Sequence, residues 1–317
     1  MEFKSISEEL SALKYKKSIE REMEDYFESK GFSIIEPDIF QNYDDFLLSN
    51  FRHDSSKTVK VLGGDSKIFI LRPDITSNIL GKILSRWEGK PPLKVYYNSR
   101  VYSNSPGGGI KESYQVGVES LGDKPIVADT EILEMAITLM ESLKTPYVLE
   151  LGSSKYLDSY IRELKLNSKD EFQIRNLLAK KNKDELINLL KKKDIKSPIL
   201  DAILDMEGNM EEVIQKARRL YVNYEMEGSL NSVESLMAFF KERDLLDKVN
   251  LDLSMIPDLD YYDGIVFKGY CQGTSKKVIS GGRYDKLTEM FGRNVSAVGF
   301  MIDLGLATQL RYRGENR

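Results

Sequence analysis

The chain has 317 residues, of which 41% are hydrophobic and 30% are charged, as expected for a globular protein with a substantial core. Its net charge of −4 disfavours binding to a long polyanion such as RNA or DNA. One cysteine (Cys271) and one histidine (His53) disfavour an internal disulfide, a multi-histidine zinc site and a Ser-His-Asp triad. The sequence lacks an apolar run of about 18 residues, and its N-terminus lacks an apolar signal segment, so we expect a cytoplasmic protein with no membrane attachment and no metal.

The first half of the chain is predicted to mix helices with short strands. A helix capped by Ser7 and ended by Gly31 has one apolar face, and FSIIEP (32–37) is a short strand ended by Pro37. The next predicted elements are a strand at 67–73, a helix at 76–87, strands at 94–103 and 114–122, a helix at 129–143 and a strand at 146–152.

The glycine turn SPGGG (105–109) joins the strands 94–103 and 114–122, which predicts an antiparallel hairpin. The triplet Gly107-Gly108-Gly109 does not fit a dinucleotide-binding or P-loop motif, so it is either a flexible hairpin tip or a mobile lid. The segment GGRYD (281–285) lies at a strand-to-helix junction. Its two glycines permit either a tight turn with Arg283 on the surface or close approach of a ligand, and the residues leave both open.

From about 156 to 249 the pattern becomes helical and rich in charge. Its lysines alternate with acidic residues, which favours a solvated helix face over a docking patch for an acidic partner. Strands then return at 250–256, 263–270, 276–282 and from 296. The order predicts an α+β fold: a core of residues 1–155 and 250–317, with an antiparallel sheet flanked by helices, interrupted by a helical insertion at 156–249.

Polar residues recur at strand positions that would otherwise alternate with the core. Gln115 and Glu119 are four residues apart in a strand and share one face. Carboxylates beside a cation and hydroxyl groups suit a zwitterion whose side chain carries N–H donors. The candidate binding residues are Asp74, Thr76, Arg100, Gln115, Glu119, Tyr261 and Tyr262.

Several segments, taken in order, resemble the catalytic core of histidyl-tRNA synthetases, a class II aminoacyl-tRNA synthetase fold. They are LRPDIT (71–76), YYNSRVYS (96–103), YQVGVESLG (114–122), LDYYDGIVF (259–267), GGRYDKLTEMFG (281–292) and SAVGF (296–300). By this resemblance Asp74, Thr76 and Gln115 would hold an α-ammonium group.

The resemblance also assigns the imidazole end of a histidine ligand. Glu119 and Tyr261 would read the imidazole, and Tyr262 would line the pocket. Asp74 is one methylene shorter than the glutamate usual in the family.

The departures from the synthetases fall on the groups that hold ATP. Arg100 matches an arginine that holds the α-phosphate, but Pro257 and Leu306 stand where two further arginines are expected. Losing one such donor typically costs about 3–4 kcal/mol of transition-state stabilisation, so we expect no adenylation. The loop at 104–113 has only Lys111 as a basic residue, and only 11 residues follow Leu306, so we expect no tRNA-reading domain.

A synthetase-like core with these departures resembles the regulatory subunits of ATP phosphoribosyltransferase, the first enzyme of histidine biosynthesis. The resemblance implies a non-catalytic protein without cofactor that a short-form catalytic subunit requires for activity. It further implies histidine as feedback effector, a homodimer through the region of 32–37, and a hetero-octamer of four catalytic and four regulatory chains. Because Pro257 removes the main cation for the ligand carboxylate, the histidine site is expected either in a weakened form here or at the subunit interface.

Two alternatives remain open from the sequence. An amino-acid-activating ligase that does not use tRNA would rely on Arg100 and Arg283. A dimerising scaffold with an inactive pocket would bind no histidine.

Overall fold

The computed structural model describes residues 5–49, 55–90 and 92–316, so His53 lies outside the described residues. The chain forms two compact units, the first of residues 1–146 and 271–317 and the second of residues 147–270. None of the described helices is long and apolar enough to cross a bilayer.

The first unit begins with a helix of 24 residues whose buried face includes Ile19, Met23 and Phe27. Up to residue 146 its elements are α1 (Ile6–Ser29), β1 (Ser33–Ile34), β2 (Phe40–Asn42), α2 (Tyr43–Ser49), β3 (Lys60–Leu62), β4 (Ile68–Leu71), α3 (Thr76–Leu84), β5 (Leu93–Asn104), β6 (Ile110–Leu121) and α4 (Pro125–Ser142).

The second unit contains six helices of four residues or more, together with four strands. They are β7 (Tyr147–Ser153), α5 (Ser154–Glu163), α6 (Ser168–Ala179), α7 (Lys183–Lys192), α8 (Pro198–Ala202), β8 (Glu207–Gly208), α9 (Met210–Arg218), α10 (Tyr224–Glu242), β9 (Val249–Asp252) and β10 (Ile265–Cys271). The first unit then resumes with β11 (Ile279–Arg283), α11 (Asp285–Met290), β12 (Ala297–Asp303) and α12 (Leu304–Glu315).

The main sheet of the first unit has the order β1-β5-β6-β12-β11. The predicted hairpin is present and long, because β5 and β6 pair continuously from Leu93↔Leu121 to Asn104↔Ile110. Gly108 and Gly109 adopt positive φ at its turn, a conformation that favours glycine. The strands β2, β4 and β3 form a separate small antiparallel sheet.

The predicted α+β fold with a sheet flanked by helices is confirmed, and the sheet is mixed, because two of its strand pairs are parallel. β1 pairs with β5 in parallel, and β7 pairs with β9 in parallel. In both cases a long crossover separates the two strands along the chain, and such a crossover is what parallel pairing requires. The predicted strand at 32–37 is reduced to Ser33–Ile34.

The second unit includes strands as well as the helices predicted for the insertion. Helices α5 to α10 span Ser154–Glu242, and the boundary predicted after residue 155 falls in the first turn of α5. β9 pairs with both β7 and β8, so the helical segment and these strands form one compact body. The predicted boundaries 156 and 249 mark the stretch whose sequence is helical and rich in charge, whereas the compact unit spans residues 147–270.

The two faces of the sheet in the first unit have different neighbours. One face is covered by helices: the Tyr96 hydroxyl donates to Glu28 of α1 at 2.7 Å, Asn98 donates to Glu24 of α1 at 2.8 Å, and Phe300 contacts Phe27. We call this the helix-covered face. Since side chains alternate along a strand, the residues between these lie on the opposite side, which we call the Glu119 face.

Candidate functional site

A buried carboxyl group, Glu119, is the centre of the candidate site. Glu119 lies on β6 and is 1% exposed. The Thr76 hydroxyl donates to its Oε1 at 2.6 Å, and the Tyr284 hydroxyl donates to its Oε2. Within the described part of the chain no lysine or arginine forms an ion pair with it, so two neutral donors hold a carboxyl group that has no counter-charge.

This environment changes the protonation of Glu119. Burial raises the pKa of Glu119 to about 8, the hydrogen bonds from Thr76 and Tyr284 offset part of that rise, and the negative charge of Asp74 adds to it. At neutral pH the carboxyl group is therefore mostly protonated while its neighbours are the protein groups alone. A bound cation or strong N–H donor would favour the ionised form and would release the proton.

Glycines on three neighbouring strands form the floor beneath this carboxyl group. Gly299 of β12 lies directly opposite Glu119, and Gly282 of β11 lies opposite Gly299. A Cβ atom on Gly299 would overlap Glu119 Oε2, and one on Gly117 would lie 2.5 Å from the hydroxyl oxygen of Tyr97. Only glycine leaves room for the carboxyl and phenol groups to lie flat on the sheet.

Two helices begin beside this floor with a carboxylate at the first turn. Asp74 Oδ2 accepts a hydrogen bond from the Ser77 N–H at 2.8 Å, in the first turn of α3. Asp303 caps α12, where its Oδ1 accepts the Leu306 N–H at 2.9 Å. A helix N-terminus attracts anions, and at both ends the protein's own carboxylate takes that place.

Gln115 lies on the same face, directly opposite Asp303 on one neighbouring strand and Ser99 on the other. It is half-buried, as are Asp74 and Thr76. The structure thus places Gln115 and Glu119 on one face of the sheet and brings Thr76 into contact with Glu119, with Asp74 close enough to shift its pKa. The face is rich in acceptors, which suits N–H donors and opposes phosphates.

Arg100 is not brought to this face, which corrects its assignment beside the other candidates. It pairs with Tyr114 across the hairpin, on the helix-covered face. Its Nε lies 2.6 Å from Glu112 Oε1, and its guanidinium group lies 5.1 Å from the centre of the Tyr114 ring. The residue opposite Glu119 on β5 is Val95, five positions from Arg100, and an odd separation on a strand places two side chains on opposite faces.

Arg283 is also on the helix-covered face, and its donors are used within the protein. Its guanidinium group donates to Asp129 at 2.6 and 3.1 Å, to Asp285 at 2.9 Å, to Ser296 at 2.9 Å and to the Pro125 carbonyl at 2.9 Å. Burial opposes its charge, but Asp129 and Asp285 together raise the pKa of Arg283. The GGRYD segment therefore uses its arginine to anchor α4 to β11, and Gly282 alone of its first three residues lies on the floor.

On the four strands β5, β6, β11 and β12, Lys111 is the one described cation on the Glu119 face. It lies at the exposed end of the hairpin, eight residues from Glu119. Leu306, where the resemblance places a third arginine, is a half-buried apolar residue in the first turn of α12. The described residues also contain no group of three His, Cys, Asp or Glu side chains that could hold a metal.

Tyr261 and Tyr262 belong to the second unit, on the segment that precedes β10. Both are half-buried, and their ring centres are 5.0 Å apart. The Ser154 hydroxyl donates to the Tyr262 carbonyl at 2.9 Å, which ties this segment to the start of α5. Pro257 lies four residues before Tyr261 on the same segment.

Sequence reasoning missed Tyr284 and Asp303. The signal for Tyr284 was available, because a residue that follows Arg283 in an extended segment must point to the opposite face. The role of Asp303 was hidden because its Oδ2 accepts from Ser113, 190 residues away in sequence, while its Oδ1 caps α12, a helix that begins directly after β12.

Comparison with known proteins identifies the family of this chain. The family model for histidyl-tRNA synthetase matches residues 9–306. An ATP phosphoribosyltransferase regulatory subunit of Caldanaerobacter subterraneus is 30% identical over 95% of this chain and 80% of its own length. One of Clostridium novyi is 32% identical over 90% of this chain and 70% of its own length.

Solved structures agree on the fold. The crystal structure of an ATP phosphoribosyltransferase regulatory subunit/histidyl-tRNA synthetase from Bacillus halodurans has a TM-score of 0.84 at 25% identity, covering 98% of this chain and 81% of that one. A chain of an ATP phosphoribosyl transferase complex from Thermotoga maritima has a TM-score of 0.70 at 19% identity, covering 91% and 97% respectively, and supports the fold alone. The chain therefore belongs to the histidyl-tRNA synthetase family and, within it, groups with the ATP phosphoribosyltransferase regulatory subunits.

Proposed function

We propose that this chain is the non-catalytic regulatory subunit that a short-form ATP phosphoribosyltransferase requires for activity in the first step of histidine biosynthesis. The observation that carries the proposal is the 30–32% identity, over at least 90% of the chain, to proteins with that name. The phosphoribosyl transfer itself would take place in the partner subunit, and no cofactor is needed here.

The charge of the Glu119 face supports a role without adenylation. Joining a carboxylate to the α-phosphate of ATP brings two anions together, so the site must supply cations where charge develops. Here Arg100 and Arg283 lie on the helix-covered face, and Asp303 occupies the N-terminus of α12. The carboxylates on the Glu119 face disfavour binding of the triphosphate of ATP. The ligase alternative requires Arg100 and Arg283 at the site, and neither lies on this face.

We propose histidine as the ligand of the Glu119 face. Glu119 would accept an imidazole N–H, while Asp74, Thr76 and Gln115 would receive the α-ammonium group. The family resemblance also assigns Tyr261 and Tyr262 to histidine binding. A site built from buried acceptors rejects analogues that lack the N–H, because its polar groups would be left unpaired.

Regulation would follow from different affinities of histidine for two arrangements of the complex, since a ligand that binds both equally shifts nothing. Typical coupling between sites is about 1–3 kcal/mol, which is roughly a 5- to 150-fold change in affinity. The complex would consist of four catalytic and four regulatory chains in the cytoplasm, without tRNA.

The regulatory chains would pair as homodimers through the region of 32–37. Exposed apolar side chains support the pairing: Ile34 of β1 is 59% exposed, and Phe40 of β2, just after this region in sequence, is 54% exposed. Exposed apolar residues next to an edge strand are typical of a surface that another chain covers.

The test is an assay of the short-form catalytic subunit with and without this chain, at several histidine concentrations. We expect activity to require the chain and to fall as histidine rises. The Glu119→Gln variant should restore activity without the same response to histidine, and Glu112→Gln, an exposed carboxyl on the same strand, should behave as wild type. A catalytic rate that is unchanged by the chain would refute the proposal.

Two controls separate the alternatives. Histidine-dependent exchange of pyrophosphate into ATP by the purified chain would establish a ligase instead. Activation without any heat of histidine binding in calorimetry would indicate a scaffold whose pocket is inactive.

A further inference from the structure

Positive charge is concentrated at one end of the second unit. Residues 164–197 contain ten lysines and arginines and five acidic residues, a net charge of +5 in a chain whose net charge is −4. Six lysines lie at the C-terminus of α5, in the first turn of α6, and at the C-terminus of α7. We call this set the basic end: Lys165, Lys169, Lys191, Lys192, Lys193 and Lys196.

Contacts between the three segments bring these lysines to the same end. The Lys193 Nζ lies 2.9 Å from Asp170 Oδ1, which joins the end of α7 to the start of α6. The Tyr160 hydroxyl is hydrogen-bonded to the Ser197 hydroxyl at 2.7 Å, which joins the last turns of α5 to the residue after the basic end. The ion pair with Lys193 lowers the pKa of Asp170, and the charge of nearby Lys169 adds to the effect.

Five of the six lysines form no ion pair with an acidic side chain in the part of the chain that the structure describes. Only Lys193 forms an ion pair among the described residues, and the other five are exposed. Elsewhere in the same segment lysines are paired: Lys181 lies 2.7 Å from both Glu207 and Asp252. Because like charges held together repel, the concentration of lysines at this end opposes folding.

Helix capping accounts for only part of the pattern. Lys191 and Lys192 lie in the last turn of α7, where a cation is favourable to the helix dipole. Lys169, however, lies in the first turn of α6, where a cation is unfavourable, and Lys165 lies outside any helix with a positive φ of 48°. Lysines at these two positions do not stabilise the helices, so the stability of a solvated helix face does not explain them.

An exposed aromatic side chain adjoins the basic end. Tyr221 is 51% exposed, its ring centre lies 6.4 Å from that of Tyr160, and its hydroxyl donates to Glu163 at the end of α5. An ordered tyrosine beside unpaired cations is typical of protein–protein interfaces, where aromatic anchors supply contact energy and charges supply steering. A protein surface is favoured over RNA because the whole chain is acidic.

We propose that the basic end docks an acidic surface of the catalytic subunit, with Tyr221 at the edge of the contact. This inference rests on the proposed function, since the partner is the one that function requires. Charge of this kind speeds encounter more than it strengthens the final complex, so its signature is an association rate that falls with salt.

The experiment measures binding of the full chain to the purified catalytic subunit at 50, 150 and 300 mM KCl (salt levels chosen to span the screening range). The test variant carries Lys191→Glu, Lys192→Glu and Lys196→Glu. The matched control carries Lys155→Glu, Lys216→Glu and Lys241→Glu, three exposed lysines elsewhere in the second unit, with the same change of net charge. Circular dichroism confirms that both variants are folded.

For the test variant we expect association at 50 mM KCl to slow by about tenfold or more and its salt dependence to flatten, with the control unchanged. Equal rates for wild type and both variants would refute the docking role of the basic end and leave the proposed function intact. If the wild-type chain does not bind the catalytic subunit at any of the three salt concentrations, both the docking role and the proposed function are refuted. Binding of an RNA duplex that the test variant loses, with catalytic-subunit binding unaffected, would assign the surface to nucleic acid instead.

Discussion

Replacing Glu119 with glutamine isolates the effect of burying its carboxyl group. The folded chain holds the pKa of Glu119 at about 8, above its ordinary value of 4.5, because burial opposes ionisation. A raised pKa means that the folded state binds the proton more tightly than the unfolded state. The contribution to stability is therefore complete below about pH 4.5 and is lost as the pH rises through about 8.

The magnitude follows from the size of this interval. Between these two pKa values the wild type loses about 1.4 kcal/mol of unfolding free energy per pH unit through this group. From pH 5 to pH 7 the loss is about 2–3 kcal/mol. Glutamine does not ionise, and the hydroxyl groups of Thr76 and Tyr284 can turn to accept or donate, so the variant keeps the hydrogen bonds without this loss.

The assay is urea unfolding at pH 5, 6, 7 and 8 for wild type, Glu119→Gln and the control Glu112→Gln, an exposed carboxyl on the same strand. The difference between Glu119→Gln and wild type should shift in favour of the variant as the pH rises. Glu112→Gln should follow the wild-type curve. If the curves of Glu119→Gln and wild type run parallel, Glu119 is ionised in the folded protein and the reasoning about its buried, cation-free environment is refuted.

Three further substitutions test the packing around the site. Arg283→Met leaves the buried carboxylate of Asp129 without its partner and should lower the unfolding free energy by about 3–5 kcal/mol, measured in urea; a loss below 1 kcal/mol would contradict the buried pair. Gly299→Ala places a methyl group against Glu119 and should lower the unfolding free energy by about 1–3 kcal/mol. It should also abolish histidine binding in calorimetry, and unchanged binding would show that a methyl group fits between Gly299 and Glu119. Asp303→Ala removes the cap of α12 and should lower the melting temperature with a cost of about 1 kcal/mol; no change would mean that the cap is not used.

The local features of this protein follow from short sequence patterns. The glycine turn and the β-forming residues around it predicted the hairpin of β5 and β6, because turn chemistry and strand propensity act over a few residues. The ordered segments from LRPDIT (71–76) to SAVGF (296–300) predicted the family, and the alternation of Gln115 and Glu119 placed both on one face. Such patterns need no knowledge of which strand lies beside which.

Which side chains meet depends on the packing of segments that are distant in sequence. Arg100 and Glu119 lie on one hairpin, yet they face opposite sides of the sheet because the register pairs Glu119 with Val95. Tyr284 reaches Glu119 from 165 residues away in sequence. The parallel pairing of β7 with β9 likewise depends on a crossover of about a hundred residues between them. Strand register and long-range packing are set by contacts between distant segments, and no pattern within a single segment contains them.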